Sequence, residues 1–174
     1  EARCRDTLVE ENPGAANARL SYPITCIENA YHKRSNFAHA QNIFFLTMDA
    51  EGLFPAISRI SGKAVRRFFE TGYTSAMPGT EAGVTEIKRT FSPCYGSPFM
   101  PRAVKEYSDL LMKNIEKHNS NVFLVNTGMN PDTQERFPLD FTRNTIKQSI
   151  LTEYPLKDTS EKVLKTLEQV IEGV

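Results

Sequence analysis

The chain has 174 residues, 40% of them hydrophobic and 24% charged, with 21 Lys and Arg against 21 Asp and Glu. That length suits one domain with a sizeable core. The balanced charge gives neither a basic surplus for nucleic acid nor an acidic tail, and no apolar run approaches the roughly 20 residues that a membrane span needs.

Residues 1–18 are polar and contain the turn-rich string ENPGAAN, which reads as an N-terminal joint. RLSYPITCI is expected to be extended, because Pro23 disfavours helix at Tyr22. Ile43 to Thr47, IFFLT, has strand length and is expected to be buried on both faces. After the turn MDAEGLFP, Gly62 to Glu70 reads as a short helix that stops at Gly72. Residues 72–96 read as a loop that closes on something, being rich in Gly, Pro and Thr-Glu pairs. Pro101 suits the first turn of a helix running to about Lys117, with Val104, Tyr107, Leu111 and Ile115 on one face. NVFLVNTG, 121–128, repeats the buried-strand pattern, and Thr142 to about Leu151 reads as a helix. A last helix starts at Ser160 within the segment 152–174, with Val163, Leu164, Leu167, Val170 and Ile171 inward. The expected fold is a single mixed α/β domain, a mixed sheet with flanking helices, whose ligand sits beyond the strand ends.

The isolated chemistry is sparse. Gly62-Lys63 lacks the upstream Gly and the following hydroxyl of a phosphate loop, and no G-x-S-x-G elbow exists. His32, His39 and His118 are far apart and read as surface or satisfied core histidines. Cys4, Cys26 and Cys94 are odd in number and widely spaced, which predicts neither a disulfide framework nor a zinc site. With no secretory pattern among the charged first residues, the expected setting is reducing and cytoplasmic. Cys94 has no neighbouring base, and Asp49 after FFLTM reads as the cap of a turn or helix. Arg19 could clamp a phosphate or carboxylate, and Arg136 with Phe137 could sandwich a base; on spacing alone, solvated side chains are the commoner reading.

Taken in order, NARLSYPI, IFFLTMDAEGLFPAISRI, FFETGYTSAMPGTEAGVTE, TFSPCYGSPF and VFLVNTG resemble the ATP-type phosphoenolpyruvate carboxykinases over about residues 17 to 151. The resemblance implies the C-terminal nucleotide-binding lobe of that fold. It also implies a reaction converting oxaloacetate and ATP to phosphoenolpyruvate, carbon dioxide and ADP, with Mg2+ and Mn2+. By resemblance Arg19 contacts substrate and the transferred phosphate, Arg136 and Phe137 hold the adenine, and Thr142 adds an adenine-side contact. Gly79, Thr80, Glu81 and Gly83 match a mobile lid, with glycines free to take hinge torsions.

The match has gaps. Met129 stands where the family usually has Trp, and Ala76 and Ala82 stand where it commonly has Lys and Arg. The family's phosphate loop, metal-binding aspartates and manganese-site Lys and His all lie upstream of the Arg19 segment and have no counterpart in these residues. Two readings follow. One is the C-terminal part of a carboxykinase, inactive alone, whose partner is the missing N-terminal half. The other is a non-catalytic, carboxykinase-derived binding or interaction module, self-associating or paired with another chain; nucleotide binding separates them.

Overall fold

The computed structural model describes residues 23–28, 30–31, 38–76, 85–151 and 156–173. Its strands are β1 (Asn42–Thr47), β2 (Ile57–Ile60), β3 (Tyr73–Ala76), β4 (Lys88–Phe91) and β5 (Asn121–Asn126). Its α-helices are α1 (Gly62–Thr71), α2 (Val104–His118), α3 (Leu139–Leu151) and α4 (Ser160–Glu172). The protein is therefore a mixed α/β structure. β1, β5 and β2 form one mixed sheet in that order, and β3 and β4 form a separate antiparallel pair. β1 runs parallel to β5 with Thr47 opposite Asn126, so both strands end side by side. β2 runs antiparallel to β5.

β5 is the strand that reads VFLV because it is central, with every residue from Val122 to Asn126 buried. β1 departs from the expected burial on both faces. Phe45 and Thr47 point inward, but Leu46 keeps 55% of its surface exposed. Its side chains alternate between an inward face with Phe45 and Thr47 and an outward face with Leu46, and it is an edge strand among the described residues.

The core gathers Phe45, Phe54, Val65, Phe68, Tyr73 and Leu124 with Val163, Leu167 and Val170. Helix α4 presents its apolar stripe to this core as the 3.6-residue spacing predicts. It is tied to β2 by Thr159 N–H donating to Arg59 O at 3.0 Å, and to α1 by the Arg67–Glu168 pair. Among the described residues no helix is long and apolar enough to cross a membrane.

Several boundaries move. Helix α2 starts at Val104 with Ala103 extended before it, so Pro101 stands outside the helix rather than in its first turn. Its predicted apolar stripe is only half-buried. The fully buried side chain on α2 is Ser108, whose hydroxyl donates to Glu70 Oε1 at 2.6 Å on α1. Ile24–Cys26 is a 3-10 turn rather than extended chain. Within the stretch 72–96, Tyr73–Ala76 and Lys88–Phe91 are the paired strands β3 and β4 and Pro93–Tyr95 is a 3-10 turn, while residues 77–84 lie outside the described residues. Gly72 does stop α1, in the left-handed region at φ 56°. A side chain there would also meet the Ser92 carbonyl, 1.7 Å from the ideal Cβ, so Gly72 is a close-packing position in addition to a helix stop. Arg19, Gly79, Thr80, Glu81 and Gly83 lie outside the described residues.

Candidate functional site

The parallel ends of β1 and β5 hand over to two turns that are stitched together. Asn126 is 1% exposed and directs its amide between them. Its Oδ1 accepts from Asp49 N–H at 3.2 Å and from Gly128 N–H at 2.8 Å. Its Nδ2 donates to Phe54 O at 2.7 Å and to Met129 O at 3.0 Å. A buried amide with both donors and its acceptor engaged is a rigid joint. Thr127 N–H donates to Thr47 O at 2.8 Å, and Met129 N–H to Asp49 O at 2.7 Å.

Asp49 is fully buried and acts as the turn anchor that its position after FFLTM suggested. Its carboxylate accepts from the backbone N–H groups of Glu51, Leu53 and Phe54, and from the Tyr73 hydroxyl at 3.3 Å. Burial, reinforced by the negative charge of Asp49, raises the Tyr73 phenol far above its ordinary value. Tyr73 therefore stays a neutral donor, and the Asp49 oxygens are committed to structure.

From Gly128 the chain makes an excursion through 129–136 and returns. Met129 pairs with Arg136 as an antiparallel bridge, and Asn130 N–H donates to Glu135 O at 2.8 Å. Phe137 N–H then donates to Gly128 O at 2.9 Å. This return places Arg136 and Phe137 beside the end of β5 and starts α3 at Leu139, three residues before the expected start. Thr142 sits in the first turn, its N–H donating to Pro138 O at 3.1 Å.

The result is a cavity of about 460 Å³ lined by Thr127, Arg136, Phe137, Pro138, Leu139 and Thr142. That is within the roughly 300–1,000 Å³ of small-molecule sites, and it lies beyond a strand end where open α/β sheets hold ligands. Arg136, Phe137 and Thr142, singled out from sequence, thus line one space. Among the described residues no carboxylate pairs with the Arg136 guanidinium. The cavity therefore offers a cation and five donors, a flat aromatic ring and a hydroxyl: equipment for a planar, polar-edged, anionic ligand. Thr127 is a wall residue that sequence reading missed. The signal was present in NTG at the end of a buried strand, where Gly marks close backbone approach.

Other candidates lie elsewhere. Cys94 is buried in a left-handed turn at φ 58°, and burial pushes its thiol up, away from nucleophilic use. His39 and His118 stack with ring centroids 4.0 Å apart on the exposed end of α2, and neither is among the residues that line the cavity. Among the described residues no three His, Cys, Asp or Glu side chains are grouped as a metal ion would require, so these residues do not fit the divalent cations the resemblance implies.

The family model described as phosphoenolpyruvate carboxykinase matches residues 4–168. The chain is 43% identical over 149 residues to phosphoenolpyruvate carboxykinase (ATP) of Bacillus subtilis, an alignment covering 84% of this chain and 28% of that protein. It is 39% identical over 150 residues to phosphoenolpyruvate carboxykinase (ATP) 1 of Moorella thermoacetica, again covering 84% and 28%. With the Wigglesworthia glossinidia brevipalpis protein it shares 42% over 130 residues, covering 75% of this chain and 24% of the relative. The chain thus spans less than a third of the length of the relatives it matches. Matched over nearly its whole length, it belongs to the ATP-dependent phosphoenolpyruvate carboxykinase family.

Proposed function

We propose that this chain forms the nucleotide-side lobe of an ATP-dependent phosphoenolpyruvate carboxykinase and holds the adenine end of ATP in the cavity at the end of β5. The observation that carries this reading is the convergence of Arg136, Phe137 and Thr142 on one cavity beside Thr127. Arg136 would supply charge-assisted donors, Phe137 a face for the base, and Thr142 a hydroxyl at its edge.

The whole reaction would proceed in two parts. Decarboxylation of oxaloacetate leaves an enolate and carbon dioxide. The enolate oxygen then takes the terminal phosphoryl group of ATP, giving phosphoenolpyruvate and ADP. Phosphoryl transfer depends on positioning and on neutralising charge. On this chain Arg19 would neutralise the moving phosphoryl group, and Gly79, Thr80, Glu81 and Gly83 would shield it from water. On this reading the phosphate loop and the cations would be supplied from outside these residues, and the chain by itself would bind nucleotide without turnover.

Titration calorimetry with ATP, run beside Arg136→Ala, tests the reading. Binding that the substitution weakens by about 2 kcal/mol, the scale of a lost charged hydrogen bond, supports it. ATP affinity equal in both proteins, or no binding at millimolar ATP, overturns it.

A further inference from the structure

We propose that Phe141 is a positioning residue of the nucleotide cavity, holding the Phe137 ring as a fixed aromatic wall. This rests on the nucleotide reading above and deepens it.

Phe137 and Phe141 stack with ring centroids 5.2 Å apart and planes only 8° from parallel. The two rings belong to different cavities. Phe137 lines the space with Arg136 and Thr142, whereas Phe141 lines a second, mainly apolar space of about 330 Å³ with Ile57, Thr145 and Leu156. The stack is therefore the partition between them. Phe137 sits before α3, its backbone N–H bonded to Gly128 O and its ring outside the helix. Phe141 sits inside α3, where the helix limits its rotamers. A ring that no helix constrains is thus backed by one that the helix does.

Phe141 remains 46% exposed, so core burial does not account for a phenyl group at this place. An apolar residue ahead of a helix packing on its first turn can also fix how the chain enters the helix. That role needs apolar bulk at 141 and no flat face. Positioning of a base-stacking ring needs the flat face, and the two demands separate by experiment.

ATP and inorganic tripolyphosphate are titrated into the unaltered chain and into Phe141→Leu and Phe141→Tyr. The Leu variant keeps bulk and should lose ATP affinity about threefold to tenfold, the range of an aromatic pair, with tripolyphosphate binding unchanged. The Tyr variant should stay within about twofold of the unaltered chain for both, since its ring stacks equally. ATP affinity retained by the Leu variant, or an equal loss for ATP and tripolyphosphate, overturns the inference alone. Failure of ATP to bind the unaltered chain overturns the nucleotide reading and this inference together. Should circular dichroism show that Leu loosens α3, Phe141→Met is judged by the same two outcomes.

Discussion

The carbonyl oxygen of Asp49 fills the space that a side chain at Gly128 would need: a Cβ built on Gly128 would lie 2.1 Å from that oxygen. This contact joins the turn after β1 to the turn after β5. Because Phe137 N–H donates to Gly128 O, it also sets where the cavity wall begins. A single close approach between two backbones thus links the sheet to the proposed adenine site.

Gly128→Ala should therefore separate the two turns. The clash is with backbone, which cannot rotate away, so we expect a destabilisation of about 3 kcal/mol, at the upper end of overpacking effects. Urea unfolding checks it. A midpoint unchanged from the unaltered chain would show that the turns can spread without penalty.

Asp49→Ala should be more damaging than its size suggests. It removes the acceptor for three backbone N–H groups and the Tyr73 hydroxyl, of which Phe54 N–H and the Tyr73 hydroxyl are buried. We expect a loss of at least about 3 kcal/mol, since each unsatisfied buried donor costs about 1–3 kcal/mol. Asp49→Asn keeps one acceptor oxygen and should fall between. Equal stability of the Ala and Asn variants in denaturant unfolding would mean the carboxylate is not the anchor.

The parts of this fold that were legible in sequence are those with a strong local signal. The runs FFL and VFLV declared β1 and β5, and the stripe Val163, Leu167, Val170 declared α4, because burial dictates residue type there. The hairpin was hidden. Its arms YTSA and KRTF are polar, and Thr74 and Ser75 earn their place through hydrogen bonds to Met48 and Ala50 across more than twenty residues. Such pairing is non-local and leaves no periodic trace. β2, ISRI, was too short to distinguish from the turn before it. At the site, Arg136, Phe137 and Thr142 were found through family resemblance. Thr127 was missed although NTG at the end of a buried strand carried its signal, and Phe141 was missed because its place beside Phe137 depends on how the 129–136 excursion returns to Gly128.

Acid should act on the hairpin through Glu51. Arg89 on β4 donates to the Glu51 carboxylate through Nε and through Nη2 at 2.7 Å, and its Nη1 donates to Val170 O at 3.1 Å at the end of α4. The hydrogen bonds from Arg89 hold the Glu51 carboxyl below the usual glutamate value of 4.5. A carboxyl depressed in the folded state contributes stability that is fully present above its unfolded value and is lost as pH falls through its folded value. This contribution should be intact at neutral pH and decline below pH 4.5. Glu51→Gln should remove that component, leaving a flatter stability curve in acid. Unfolding midpoints of both proteins across the acid range check this; identical slopes would refute a role for the pair. The effect is expected to be small, since both side chains are roughly one-third exposed.

Thr142→Val separates the hydroxyl of Thr142 from its shape. The hydroxyl donates to Pro138 O at 3.3 Å, long for such a bond, and the residue lines the cavity. The side chain is 9% exposed, so Val fills the same space. Stability should change by less than about 1 kcal/mol, since the lost bond is weak and Val adds apolar surface. Binding should respond differently. If Thr142 meets the edge of the adenine, ATP affinity should fall about fivefold, the scale of one neutral hydrogen bond. Inorganic tripolyphosphate, which lacks the base, should bind as before. Calorimetric titration of both ligands decides the matter, with Thr142→Ser as the control that restores the hydroxyl. Unchanged ATP affinity in the Val variant would remove Thr142 from the adenine side and leave it as a helix-turn residue.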